Sequence, residues 1–398
     1  MRKYFYFFRG DLRSHVDIFL SRVKAAEEYI PIKMITGLPL ITYYKQRKLV
    51  SHYRSVGVRI YPVPFLLTTL FFSLYFLVQA IGSEKVVVHL RKQRARPIQL
   101  ARKILRKKFS YVVEIEGDPV SEAEYLRDHP YKENHYQQLS SEFSEINSEL
   151  AKQVKSANGV LVVTDELKDL FISRYGNKSD FWTKFCVLPT GFDAQKFFFD
   201  ESLRNKKRKE LSSSNRFLVI FIGNVFYSWQ NIKSTIDVFE RLKNKSIRKN
   251  PFLILLVRED DHPIAKEFLK KSNLTSDDFL LSAVPHDEIN SYLNASDMGV
   301  LLRDNHVMNK VASPGKMGEY LAAGIDVLTT PYIGTYSAPM VENEIGIIVD
   351  DFRDLNSVEL KLRNKLGKKD RKEVSDWARE SFSSQRYTKR YIEFLERI

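Results

Sequence analysis

Short apolar runs separated by longer amphipathic stretches recur along the whole chain. In the first half Tyr4–Phe8, Val58–Tyr61, Lys85–Leu90, Tyr111–Ile115 and Gly159–Val163 have the length and the aromatic and β-branched content of strands. In the second half Phe217–Ile222, Phe252–Val257, Phe279–Val284, Met298–Leu302 and Asp326–Thr330 repeat the pattern. There they alternate with helices near Asn231–Lys243, Pro263–Lys271 and Asp287–Asn294. This alternation predicts an α/β fold class, two doubly wound Rossmann-like domains of parallel strands facing across a cleft. At 398 residues two domains are the natural division. A long polar helix is expected over about Glu133–Ser156 and a mobile polar connector over Leu203–Ser214. A last helix, about Ser384–Ile398, places Tyr387, Tyr391 and Leu395 at i, i+4 and i+8.

The most informative segment is Asp297–Thr330. A buried strand ends at Arg303 and a polar loop follows. Ser313 as N-cap and Pro314 at the first helical position then open a helix that Gly324 closes before the next strand. Lys316 stands in the first turn of that helix and Glu319 one turn on. A helix N-terminus offers unpaired N–H groups and a positive dipole end to phosphate, and a carboxylate about 5 Å further along can accept hydrogen bonds from a ribose. The segment outlines a nucleotide-diphosphate site.

The same residues carry a resemblance. SPGKMGEYLAAGIDVLTT, Ser313–Thr330, is similar to the donor-binding segment of the GT-B glycosyltransferases of family 4 (glycosyltransferase group 1), of the polysaccharide-biosynthesis type. The loop that follows, with Pro331, Gly334 and Thr335 ahead of Glu344–Val349, is also similar. So are Phe221–Asn224, Leu188–Asp193 and Val160–Thr164. The resemblance is specific over 297–350 and loose before about residue 110. It implies a retaining sugar transfer from a UDP- or GDP-linked donor to a glycan or lipid-linked acceptor. No agreed protein nucleophile takes part, and the acceptor hydroxyl attacks from the face the diphosphate leaves. Arg303 and Lys316 would stabilise the leaving charge and Glu319 would hold the ribose. Gly223, Asn224, Asn309, Ser313, Pro314, Gly315, Tyr320, Gly334 and Thr335 would complete the donor site. The implied domains are 1–190 for the acceptor, 191–382 for the nucleotide sugar, and a helix 383–398 packing back on the first. Two positions depart from the family. Val311 stands where a second Glu is common, and Ser228-Trp229-Gln230 where a Lys often follows the Gly223 turn. They keep open a nucleotide-sugar-binding subunit with little or no turnover.

Charge changes the picture for the first half. Residues 1–110 hold 22 Lys and Arg against 5 Asp and Glu, a net of +17, which leaves −3 for the rest of a chain whose net charge is +14. A basic half beside a neutral one points to an anionic partner. With no zinc-finger, RRM or helix-turn-helix signature, nucleic acid comes last and an anionic membrane surface or a phosphorylated substrate first. Between Arg59 and Glu84 there is no charge at all. Phe65–Ile81 is taken as a buried or half-buried helix, with a membrane-docking helix and a span as the alternatives.

A single cysteine, Cys186, excludes a disulfide framework and a cysteine metal site. No Asp-x-Asp pair stands beside the diphosphate site, so neither a metal nor another cofactor is expected. The opening MRKYFYFFRG reads as a strand and not as a signal peptide. A cytoplasmic protein, peripheral at the inner membrane face, is the resulting expectation. For the acceptor, Arg9, Gly10 and His15 near the first strand–helix turn, His89 and Arg91 at a strand end, and Glu116, Gly117 and Asp118 after another are the candidates.

Overall fold

The computed structural model describes residues 1–8, 12, 16–91, 96–129, 147–176 and 181–398. It divides into two compact units. One comprises Met1–Pro119, Glu142–Thr190 and Ser384–Ile398, and the other the described part of Val120–Ser141 with Gly191–Ser383. The helix Pro119–Asp128, expected with the first half, is grouped almost wholly with the second.

The first unit is built on seven parallel strands, β1 (Arg2–Phe8), β2 (Ile32–Leu38), β3 (Arg59–Pro62), β4 (Lys85–Arg91), β5 (Phe109–Ile115), β6 (Gly159–Val162) and β7 (Phe185–Val187), in the order β3-β2-β1-β4-β5-β6-β7. The chain order reverses between β1 and β4, and such reversals place ligands at the carboxyl ends of the strands. β2 and β7 are additions to the expected strands. Polar Lys33 and Thr36 break the apolar run of β2, whose Thr36 hydroxyl donates to the Phe8 carbonyl at 2.7 Å, and β7 has only three residues.

Both faces of β1 are buried, because its aromatics alternate. On one face Phe5 and Phe7 meet Phe72 and Phe76, the Phe7 and Phe72 rings 4.3 Å apart. On the other, Tyr4, Tyr6 and Phe8 share a core with the helix Val16–Glu27 and with Tyr391, Phe394 and Leu395 of the closing helix Thr388–Arg397. The Ile398 carbonyl accepts from the Lys85 ammonium, which ties the end of the chain to this sheet. Phe65–Ile81 forms a short 3-10 turn, Phe65–Leu67, and a helix, Thr68–Ala80, buried on one side only. No described helix is long and apolar enough to cross a membrane.

The second unit holds six parallel strands, β8 (Phe217–Gly223), β9 (Pro251–Val257), β10 (Phe279–Ser282), β11 (Met298–Leu301), β12 (Asp326–Thr329) and β13 (Ile347–Ile348), in the order β10-β9-β8-β11-β12-β13. Its reversal falls between β8 and β11. The supposed connector Leu203–Ser214 is instead mostly helix, Glu201–Glu210. Asp200 caps it by accepting from the Leu203 N–H at 2.8 Å, and Arg204 and Arg208 clamp Asp297 at 2.5 and 3.1 Å. Composition alone suggested a solvated segment, but these partners lie about ninety residues away in sequence. Most of the expected helix over Glu133–Ser156 lies outside the described residues, of which 147–156 are helical.

Candidate functional site

The carboxyl ends of β8, β11 and β12 bring together loops that sequence reading could only place in order. Arg303 stands two residues past the end of β11 and is buried. Its Nη1 donates to the Trp229 carbonyl at 2.9 Å and to the Leu302 carbonyl at 3.0 Å, and its Nη2 to Gln230 Oε1 at 3.2 Å. Its backbone N–H and carbonyl both pair with the Thr330 hydroxyl after β12, at 3.3 and 2.8 Å. These contacts fix the guanidinium but supply no negative charge, and among the described residues no carboxylate forms an ion pair with it. Burial lowers its pKa to about 10, which leaves it charged at neutral pH.

Lys316 stands at the second position of the helix Gly315–Ala322. Burial first, and then the Arg303 charge, lowers its ammonium to about 8, although the side chain keeps partial access to solvent. It makes no hydrogen bond or ion pair among the described residues. Two cations thus lie near enough for one charge to depress the other, and neither forms an ion pair among the described residues.

The helix itself begins one residue later than expected. Pro314 is the N-cap in place of Ser313, which is buried. Pro314 offers the helix no capping hydroxyl, and in the first turn the Met317 N–H donates to the Pro314 carbonyl at 2.9 Å. Gly324 takes φ +67° just past the end, as the C-terminal signal predicts. A Cβ there would lie 2.1 Å from the Arg371 carbonyl oxygen.

Glu319 is buried, with one oxygen 3.6 Å from His286 Nε2, a neighbour absent from the sequence argument. Tyr320 is wholly buried and points to the strand side, where its hydroxyl accepts from the Ile222 N–H at 2.8 Å and its ring fills the space that Gly299 leaves open. Burial raises its pKa far above the usual phenol range. Gly223 ends β8 facing Gln230, and Asn224 accepts from the Phe226 N–H at 3.2 Å to close the turn. Asn309 is buried and donates to the Asp304 carbonyl at 3.0 Å, so it shapes the loop between β11 and the helix. Gly334 has φ +52° and packs so closely on that loop that a Cβ would lie 1.7 Å from the Ala312 carbonyl oxygen. This close approach brings Gly334 and Thr335 beside the segment that leads into the helix N-terminus. Val311 is buried.

Two residues passed over in the sequence order the site from behind. Gln230, seen at first only as a departure, carries Arg303. Asp304 accepts from the Tyr125 hydroxyl, from Asn231 Nδ2 at 3.1 Å and from the Arg353 guanidinium, which hold its pKa below the usual carboxylate value against the rise that burial would cause.

In the first unit the acceptor candidates are drawn into pairs. Arg91 forks onto Glu116 at 2.8 and 3.0 Å with its guanidinium 3.2 Å from the centre of the Phe19 ring, and Arg174 forks onto the fully buried Asp118 at 2.6 and 3.0 Å. Gly117 lies between them. His89 is buried beside Glu114, a residue not singled out earlier. Glu114 accepts from Arg22 at 2.5 Å and from the Tyr6 hydroxyl at 2.9 Å, and lies 3.2 Å from His89 Nε2. Arg9, Gly10 and His15 lie outside the described residues.

Solved structures share this architecture over the whole chain. A glycosyltransferase from Rickettsia africae matches with a TM-score of 0.68 at 13% identity, covering 100% of this chain and 98% of that one. HepE of Anabaena, solved in complex with UDP-glucose, matches with a TM-score of 0.68 at 13% identity, covering 99% and 100%. An α,α-trehalose-phosphate synthase (UDP-forming) from Burkholderia vietnamiensis matches with a TM-score of 0.61 at 12% identity, covering 100% of both chains. No protein-family model matches the sequence, and no curated protein is similar enough to match it. At such identities the likeness is one of fold: two Rossmann-like α/β domains of the GT-B type.

Proposed function

We propose that the chain is a retaining glycosyltransferase that moves a sugar from a nucleotide-sugar donor to a surface-glycan acceptor, working at the inner face of a membrane. One observation carries the reading. Arg303 and Lys316 stand close to each other at the N-terminus of the helix Gly315–Ala322, and neither forms an ion pair among the described residues. Such an arrangement stabilises charge that develops on a departing diphosphate, and it needs no reorganisation when the charge appears. Glu319, one turn further, would accept from ribose hydroxyls. The shared fold adds support, since HepE of Anabaena was solved with UDP-glucose. The surface-glycan acceptor is drawn from the sequence resemblance, and the membrane from the basic first half.

Thermal-shift measurements against UDP, GDP, CMP and their sugars test the reading. A matching donor at about 100 times its Kd should stabilise the protein by about 2.7 kcal/mol. The absence of any shift across that set would remove the donor site. With the donor found, product analysis decides between transfer and mere binding.

Full activity should survive EDTA. The two cations and the helix dipole would take the role that a divalent metal takes beside a diphosphate. Activity lost to EDTA and restored by manganese would overturn this mechanism.

A further inference from the structure

One side of the helix Thr68–Ala80 is spent on the core, with Phe72, Ser73, Phe76 and Ala80 buried. The other side carries Leu70, Leu74 and Val78 at i, i+4 and i+8, continued by Leu66 before it and Ile81 after it, all between 50% and 90% exposed. A helix face that meets water is ordinarily polar, and a contiguous exposed apolar face marks an interaction site. The helix Arg96–Leu105 packs against it and exposes Leu100 and Ile104, again at i and i+4. Lys103 near its end and Lys107 in the short turn Arg106–Lys108 that follows are exposed as well.

Charge identifies the occupant. Between Glu28 and Glu84, and again between Glu84 and Glu114, there is no acidic residue, while Lys85–Lys108 alone holds ten Lys and Arg. Of these, Lys103, Arg106, Lys107 and Lys108 are exposed beside the apolar residues, and a second copy of the chain would bring the same cations against them, so the face is mismatched to itself. An anionic bilayer offers both complements, headgroup charge for the lysines and an acyl boundary for the leucines.

We propose that the exposed face of this helix pair is a bilayer-docking surface, which lies in the plane of an anionic membrane and inserts Leu66, Leu70, Leu74, Val78 and Ile81 into the acyl boundary. The proposal deepens the membrane location given above, and it stands apart from the transfer chemistry. It also changes the character of the attachment. Basic residues alone give binding that salt reverses, whereas inserted leucines retain the protein after charges are screened.

Co-sedimentation of the full chain tests it, with vesicles of phosphatidylcholine alone and of phosphatidylcholine with phosphatidylglycerol. The chain should bind the anionic vesicles, and part of the bound protein should remain in roughly 1 M salt, where the Debye length is about 3 Å. The triple variant Leu66→Ser, Leu70→Ser, Leu74→Ser should lose that salt-resistant part while keeping low-salt binding. The double variant Lys103→Glu, Lys107→Glu should weaken low-salt binding on the order of tenfold or more. All three substituted leucines are exposed, so both variants should keep the unfolding temperature and the donor-induced shift of the parent. That shift also separates failure of this surface from failure of the donor site. Equal retention of parent and triple variant would overturn the proposal, as would no vesicle binding by the parent. A concentration-dependent dimer in ultracentrifugation that the triple variant abolishes would assign the face to a second copy instead.

Discussion

Replacing Lys316 with Ala should lower kcat/KM by about 2–4 kcal/mol, the range for removing one preorganised donor or charge from a developing anion. Most of the loss should appear in kcat. The ammonium makes no hydrogen bond among the described residues, so the fold should hold without it. Arg303→Ala should cost a similar amount in turnover and should also destabilise the second unit, because its guanidinium holds the Trp229 and Leu302 carbonyls and Gln230. The pair therefore separates a charge that serves only the ligand from one that also ties loops together. Steady-state kinetics of Lys316→Ala equal to those of the parent would remove the site.

The same lysine sets a pH dependence whose sign is fixed. Its pKa in the folded protein is about 8, against 10.5 for an ordinary lysine. Donor affinity should be highest below about pH 8 and fall as the ammonium deprotonates above it. Lys316→Arg should move that alkaline loss upward, since a guanidinium stays charged. Stability runs the other way. Between about pH 8 and 10.5 the unfolded chain binds the extra proton, so this group makes the folded state gain stability as pH rises through that window. Lys316→Met should abolish that gain.

Local signals were legible and distant ones were not. The helix Gly315–Ala322 was visible because Pro, Lys, Glu and Gly act on their own neighbours, within a turn or two. Arg303 was visible as the charge ending an apolar run. Gln230 was not, because it lies 73 residues from the Arg303 it holds, and only the pairing of β8 with β11 makes them adjacent. For the same reason Ser313 was misjudged. Its residue type suits a cap, but the helix starts at Gly315 and its N-cap is Pro314. The helix Glu201–Glu210 was hidden by its polarity, since its order comes from Asp297 and not from an apolar face. Half-burial of Phe65–Ile81 was within reach, but which side faces out depends on Phe5 and Phe7 of β1.

The Glu114 cluster was the least legible of all, because Tyr6, Arg22, His89 and Tyr391 come from four separate elements. It also carries the largest expected effect on stability. Burial alone would raise the Glu114 carboxyl, but Arg22 and then His89 overcome it and hold it well below the usual carboxylate range. His89 Nδ1 lies 2.7 Å from the Tyr391 hydroxyl and Nε2 3.2 Å from Glu114, and burial lowers the imidazole pKa below its ordinary value. Glu114→Ala would leave Arg22 buried without its anion and should destabilise the first unit by about 3–5 kcal/mol, read as a lower urea midpoint. Replacing both partners, Arg22→Met with Glu114→Leu, should recover most of that loss, because no buried charge is then unpaired. Acid should act in the same direction. The unfolded chain protonates a glutamate near pH 4.5 and a histidine near 6.5, both above their folded values, so stability falls as pH drops through 6.5 and further below 4.5. In the double variant the fall below 4.5 should be shallower. If Glu114→Ala cost no more than an exposed glutamate replaced by alanine, the cluster would not be what holds the helix Val16–Glu27 and the closing helix against this sheet.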